Sequence, residues 1–81
     1  MAETYAAARR RLVSELGARG WKTKPALKVP QAEKDGLKLF FHPQAVYLNE
    51  HSLFIDIRGL DVISLVTHVT VVQNIRIGRS T

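Results

Sequence analysis

Residues 37–48, LKLFFHPQAVYL, combine aromatic rings with cationic side chains. In an extended strand alternate side chains share a face, so Lys38, Phe40 and His42 lie opposite the aliphatic residues of the same run. Rings beside amines can stack on unpaired bases while the amines contact phosphate. Tyr, Phe and Arg are also enriched at the centres of protein interfaces. The stretch therefore predicts a binding surface, for nucleic acid or for a protein.

Two more aromatic residues follow at strand-like positions. Tyr47 lies in QAVYL and Phe54 in SLFIDIR, and the turn at 49–51 predicts a hairpin of these two runs. The aliphatic residues that alternate with both rings supply a core face. A sheet covered on one side should be polar on the other, so three exposed rings mark a site. A register shift of one residue would instead turn the rings inward.

The excess positive charge of the chain lies entirely in its first half. Residues 1–38 hold nine basic and four acidic side chains, whereas residues 39–81 hold three of each, and the formal net charge is +5. Such asymmetry indicates a polyanionic partner, although a basic balance also serves solubility alone. The residues predicted to bind nucleic acid or a protein partner are Arg10, Arg11, Trp21, Lys22, Lys24, Lys38, Phe40, Tyr47, Phe54 and Arg58.

Two parts of this set have plain structural alternatives. Trp21 stands beside Lys22 and Lys24 in a basic connection, but a single tryptophan after a helix also typically covers the edge of a small core. Arg9, Arg10 and Arg11 point in three directions around a helix, so at most two can meet one phosphate backbone. A solvated helix face is the more common explanation of such a run.

Catalytic and metal-binding patterns are weak in this sequence. There is no cysteine, and His42, His51 and His68 are not paired at helical spacing; His51 with Asp56 is the only plausible metal pair. The serines have no nucleophile-elbow context, and neither glycine-rich phosphate-binding pattern is present. We therefore predict a protein that is not an enzyme and uses no cofactor or metal.

The elements that would position these residues form an α+β fold. Residues 2–16 predict a helix that ends at Gly17, and short extended runs follow at 26–30, 37–42, 44–48 and 52–58, with an Asp-Gly turn at the end of residues 31–36. Residues 61–77 predict a second helix with Asp61 as N-cap, and a β-hairpin is the alternative because many of them are β-branched. The predicted architecture is a two-layer sandwich of a helix, a three- or four-stranded antiparallel sheet and a second helix.

This order of elements resembles that of the double-stranded-RNA-binding domain. That family holds phosphates with a lysine cluster at the start of its second helix. The corresponding positions here, GLDVIS at residues 59–64, contain an acid and no lysine. The resemblance is thus one of topology and does not extend to that mode of duplex binding.

Size and composition complete the expectation. The chain of 81 residues predicts a single domain near the lower limit for folding without a disulfide, so a homodimer is expected. No secretory signal or membrane span is predicted, which favours a cytoplasmic location. The predicted function is a small basic nucleic-acid-binding module; the alternative is an accessory protein that binds other proteins as a homodimer.

Overall fold

The structure is a computed structural model that describes residues 3–80, with the side chains of residues 3–74. Two helices and five strands follow one another within residues 3–80, and their arrangement confirms the predicted α+β class. The elements are α1 (Tyr5–Ala18), β1 (Lys22–Lys24), β2 (Gln31–Lys34), β3 (Leu37–Phe41), β4 (Val46–Leu48), β5 (His51–Ser52) and α2 (Val62–Ser80).

Helix α1 begins three residues later than predicted. Thr4 is extended, and its hydroxyl accepts a hydrogen bond from the Ala7 amide at 3.1 Å, which makes Thr4 the N-cap. Glu3 consequently lies outside the helix. The three- and four-residue spacing of Tyr5, Ala8, Leu12 and Leu16, with Val13 at the edge, predicts one apolar stripe on this helix. The stripe is confirmed: Ala8, Leu12, Val13 and Leu16 are buried, and Tyr5 is partly buried against the core.

The predicted end of α1 at Gly17 is wrong. Gly17 is still helical, and the helix runs to Ala18. The residue with positive φ is Gly20, at +92°, and its amide donates to the Gly17 carbonyl at 3.2 Å. Both glycines can adopt the left-handed conformation, and the sequence alone does not distinguish them.

The five strands form one antiparallel sheet in which each strand pairs with the next along the chain. Asp35 and Gly36, with φ of +51° and +82°, form the two-residue turn between β2 and β3, as Asp-Gly pairs commonly do. Asn49 and Glu50 join β4 to β5, so the predicted hairpin is confirmed.

Two strand predictions are wrong. Residues 26–30 are not a strand, since Pro25 precedes this run, Pro30 ends it, and proline has no amide hydrogen to donate to a ladder. Two strands that were not predicted, Lys22–Lys24 and Gln31–Lys34, lie on either side of this run, so the sheet has five strands and not three or four. The strand predicted at 52–58 ends after Ser52, close to Phe54, whose φ is +47°.

One core joins both helices to the inner face of the sheet. The chain pattern placed the aliphatic residues of 37–57 there correctly, and even Leu53 and Ile57, which lie beyond β5, are buried. The core residues are Ala8, Leu12, Val13, Leu16, Trp21, Ala32, Leu39, Phe41, Val46, Leu48, Leu53, Ile57, Val62, Leu65 and Val69.

The second helix is confirmed over the segment where a hairpin was the alternative. Asp61 accepts a hydrogen bond from the Ser64 amide at 2.6 Å, as an N-cap should, and this bond lowers the pKa of its carboxyl group. Val62, Leu65 and Val69 bury one side of α2 in the core. No helix among the described residues is both long enough and apolar enough to cross a membrane.

Candidate nucleic-acid interface

The side of the sheet that points away from the core carries two aligned rows of side chains. Strand pairing and alternation from the buried residues Ala32, Leu39 and Leu48 define these rows. One row contains three charged residues and the other contains two aromatic rings. We call this surface the outer face, and its members are Lys22, Glu33 and Lys38 in one row and Lys24, Gln31, Phe40, Tyr47 and Ser52 in the other.

Phe40 and Tyr47 are direct cross-strand partners at the centre of the outer face. Both side chains are half-buried, and neither belongs to the core or packs against it. The Lys38 ammonium lies 5.4 Å from the centre of the Phe40 ring, a cation–π contact. His42 meets Tyr47 edge to face, with 4.8 Å between the ring centroids. The predicted cluster of rings and cations is therefore present around this pair.

Strand β1 adds two lysines to the same surface. Lys22 is the pairing partner of Glu33 and Lys24 that of Gln31, and both lysines are exposed. The composition of residues 18–25 predicted these lysines as binding residues but placed them in a connection. A three-residue strand, KTK, offers no aliphatic alternation from which the strand could have been recognised.

Phe54 is exposed as predicted, but it does not belong to a strand. Its side chain is 94% exposed, the largest value among the large apolar residues described. Its φ of +47° is rare for a bulky side chain and ends the extended conformation one residue after Leu53, whose amide still donates to the Val46 carbonyl of β4 at 2.9 Å. The ring lies at a cleft that Tyr47 also lines, so Phe54 adjoins the outer face at the β5 edge of the sheet.

Arg58 lines the same cleft, and a neighbouring carboxylate holds it. Its guanidinium donates two hydrogen bonds to Asp56, at 3.0 and 2.8 Å, and its amide donates a third at 3.0 Å. These bonds lower the pKa of Asp56 to about 2. The pair is exposed and internally neutralised, so Arg58 contributes less free positive charge than its residue type suggests.

The three other predicted binding residues do not join the outer face. Arg10 is exposed on α1, whose buried side packs on the inner side of the sheet. Arg11 donates two hydrogen bonds to Glu3, at 2.8 and 2.9 Å, and lies 3.8 Å from Glu15. Trp21 is only 7% exposed and belongs to the core, so its indole is not available for stacking. The prediction for Trp21 is corrected to the core-edge role.

The cleft beside Tyr47 was not foreseen. Its volume is about 640 Å³, and α1, the connection before β4 and the segment after β5 all line it. The Tyr5 hydroxyl is buried without a hydrogen-bond partner among the described residues, and burial raises the pKa of this group. Tyr5 is partly buried against the core, as its helical spacing indicates, and it also lines the cleft, which spacing alone could not show. The cleft is lined by Tyr5, Gln44, Ala45, Val46, Tyr47, Ser52, Phe54, Ile55, Asp56 and Arg58.

Within the described residues, no group of three or more His, Asp or Glu side chains is arranged to hold a metal ion.

Comparison with known proteins finds no match: no family model fits this sequence, and no curated protein or solved structure is significantly similar to it. The topological resemblance to the double-stranded-RNA-binding domain therefore does not indicate a function. Any inference about function has to come from the side chains of the site.

Proposed function

We propose that this protein binds single-stranded nucleic acid on its outer face. The observation that best supports this proposal is the direct pairing of Phe40 with Tyr47 on the uncovered side of the sheet, with lysines in both rows around them. Each ring offers a stacking surface for one base, worth about 1–3 kcal/mol per base. Lys22, Lys24 and Lys38 supply cations for the phosphates between and beside those bases.

An unpaired strand fits this surface better than a duplex. Bases inside a duplex are already stacked on each other, so their faces are closed to protein rings. The lysine cluster that would hold a duplex backbone at the start of α2 is absent from residues 59–64. A sheet with exposed aromatic residues instead follows the general physics of single-strand recognition, in which stacking is tolerant of sequence.

The same surface argues against self-association through the sheet face. In a two-fold interface each patch meets its own copy, so the three lysines of one outer face would approach the three of the other. Glu33 is the only acid in these rows and offsets part of that repulsion. The positive charge of these lysines repels a second copy of the same face but attracts a polyanion.

The sheet edges are also poor sites for adding strands from a second copy. Strand β1 is three residues long and carries two exposed lysines, which discourage edge pairing. Strand β5 is two residues long, and the positive φ of Phe54 turns the chain out of the extended conformation soon after it. The predicted homodimer therefore gains no support from either edge.

The test is fluorescence anisotropy with short labelled oligonucleotides of DNA and RNA, single-stranded and duplex, at increasing salt. We expect the single strands to bind more tightly than the duplexes, with an affinity that falls as salt rises because phosphate contacts release counterions. Affinity for single strands that is absent, or that is independent of salt, would refute the proposal. Light scattering of the protein alone reports whether a dimer forms without nucleic acid.

A further inference from the structure

The charged row of the outer face alternates in sign. Lys22 on β1 pairs with Glu33 on β2, and Glu33 pairs in turn with Lys38 on β3. Neighbouring strands are roughly 4.8 Å apart, so the backbones of the two lysines are roughly 9.6 Å apart with the acid between them. Cations alone would attract phosphates more strongly, so the acid in the middle of this row requires an explanation.

The distance between the two rows suits a nucleotide. Lys38 of the charged row and Phe40 of the aromatic row are two residues apart on β3, a separation of roughly 6.6 Å along the strand. A base and the sugar–phosphate backbone that carries it are separated by a similar distance. A nucleic-acid strand whose bases stack on Phe40 and Tyr47 therefore has its backbone over the charged row. Along that backbone each sugar lies between two phosphates.

The Glu33 carboxylate is available to such a backbone. Glu33 is exposed on β2. Within residues 3–74 every ion pair involves Arg11 or Arg58, so neither flanking lysine holds Glu33 at salt-bridge distance. An ionised carboxylate only accepts hydrogen bonds. It repels a phosphate and needs a donor on whatever lies above it.

A depression beside Glu33 has room for a sugar. Its volume is about 330 Å³, which is in the range of sites that accept a small organic group. Two ammonium groups and two carboxylates line it, so its charges balance. A neutral group with several hydroxyls suits this lining better than a phosphate does, because it can both donate to carboxylates and accept from lysines. The lining residues are Gly20, Lys22, Glu33, Lys34, Asp35 and Gly36.

We propose that the strand bound on the outer face is RNA, and that Glu33 determines this preference by accepting a hydrogen bond from a ribose 2′-hydroxyl. This inference rests on the proposed function. The order of Lys22, Glu33 and Lys38 then matches the order of phosphate, sugar and phosphate along the backbone. The 2′-hydroxyl is the donor that DNA lacks. A DNA strand would leave the carboxylate without a donor while its charge still repels the phosphates.

A purely structural role for Glu33 leads to a different expectation. Opposite charges on facing strands stabilise a sheet, and like charges directly opposite each other destabilise it. Glu33 could therefore serve only to separate Lys22 from Lys38. In that role it would change the affinities for RNA and DNA by the same factor, so the ratio of the two affinities distinguishes the roles.

The test is fluorescence anisotropy with three short strands that share the base uracil. Their sugars are ribose, 2′-deoxyribose and 2′-fluororibose, and the fluorine keeps a ribose-like sugar shape but cannot donate a hydrogen bond. We expect the ribose strand to bind about five- to tenfold more tightly than the other two, the effect of one net hydrogen bond. Equal binding of ribose and deoxyribose strands, or of ribose and fluoro strands, would refute the hydrogen bond to the 2′-hydroxyl.

Variants of Glu33 assign the preference to this residue. Glu33→Ala removes the acceptor, and we expect the three strands to bind it equally. Glu33→Gln keeps an uncharged acceptor and should show an intermediate ratio, with the affinity for the deoxyribose strand raised more than that for the ribose strand. Glu50→Ala removes an exposed acid from the β4–β5 turn and is the matched control, which should keep the full ratio. Circular dichroism verifies that each variant is folded.

The outcomes separate this inference from the proposed function. If Glu33→Ala keeps the ratio of the unmodified protein, the role of Glu33 is refuted. If the unmodified protein binds all three strands equally, the preference for RNA is refuted and binding of single strands on the outer face stands. If it binds none of them, the proposed function itself fails, and the preference fails with it.

Discussion

Phe40 on the central strand β3 and Tyr47 on its neighbour β4 are direct cross-strand partners, on the side of the sheet that points away from the core. Directly opposed residues have Cβ atoms roughly 4.5–5.5 Å apart, so the two rings form one continuous surface. Each is half-buried by its neighbours and not by the core. The pair adds little to the interior and leaves both rings partly exposed on the outer face.

Replacing either ring should reduce affinity for single strands and leave the fold intact. We expect Phe40→Ala and Tyr47→Ala each to lose about 1–3 kcal/mol of binding free energy, the value of one stacked base. The loss of the cross-strand contact should lower the free energy of unfolding by only about 0.2–1 kcal/mol. Anisotropy titration and urea denaturation measure the two effects.

Ile63→Ala is the matched control for those variants. Ile63 is a large apolar residue, 61% exposed, that lies on α2 and not on the sheet. It should bind like the unmodified protein. An equal loss of affinity in all three variants would mean that general surface hydrophobicity, and not the paired rings, drives association.

The charges of the outer face should set the salt dependence of binding. Lys24→Gln and Lys38→Gln should each reduce the slope of log affinity against log salt by about 0.7, the value for one phosphate contact on a single strand. Arg10→Gln, on the exposed side of α1, should leave the slope unchanged. Glu33→Gln should raise affinity, because it removes the one acid from the lysine row. A slope that falls equally for Arg10→Gln would place the phosphates elsewhere.

Much of the fold followed from local chemistry that the sequence displays. The stripe of α1, the Asp35-Gly36 turn and the Asp61 cap are each specified by residues a few positions apart. Glu3 could not be assigned in this way. It accepts hydrogen bonds from Arg11 and from the amide of Gly59, which is 56 positions away, and no local pattern reports such a contact.

The site was predictable where strand alternation applied and not elsewhere. Alternation correctly placed Phe40 and Tyr47 on the face opposite the aliphatic core. It could not show that Trp21 turns inward, because the residues around it are charged and offer no apolar periodicity. It also could not find the cleft at Tyr5, since three segments distant in sequence meet there and only their packing creates the space.

The backbone of Phe54 should carry strain that glycine relieves. Left-handed conformations cost an L-residue roughly 1–2 kcal/mol, and the Phe54 ring returns little packing because it is 94% exposed. We expect Phe54→Gly to be more stable than Phe54→Ala by about 1 kcal/mol, measured by urea denaturation. Lys28 is an exposed loop residue whose φ is not positive, and it is the control. There we expect Lys28→Gly to be less stable than Lys28→Ala. Equal stability of the two Phe54 variants would remove the argument for strain.

Glu3 joins α1 to the segment before α2. Its carboxylate accepts two hydrogen bonds from Arg11 at 2.8 and 2.9 Å and one from the Gly59 amide at 2.8 Å. These bonds lower the pKa of Glu3 from 4.5 to about 2. The bonds from the Arg11 side chain are the largest cause, and the bond from the Gly59 amide is the second largest. The folded state therefore holds this carboxylate in its charged form over a range of pH in which the unfolded chain binds a proton.

The sign of the pH effect follows from that difference. A depressed pKa in the folded state gives stability that is complete above pH 4.5 and is lost as the pH falls towards 2. Glu3→Gln cannot form the charged interaction at any pH, so it should be less stable than the unmodified protein at pH 7, and the gap should close between pH 4.5 and 2. Urea denaturation across that range measures it. Glu50→Gln, an exposed change in the β4–β5 turn, should show a smaller gap at pH 7. A gap for Glu3→Gln that stays constant with pH would mean that the carboxylate acts through packing and not through its charge.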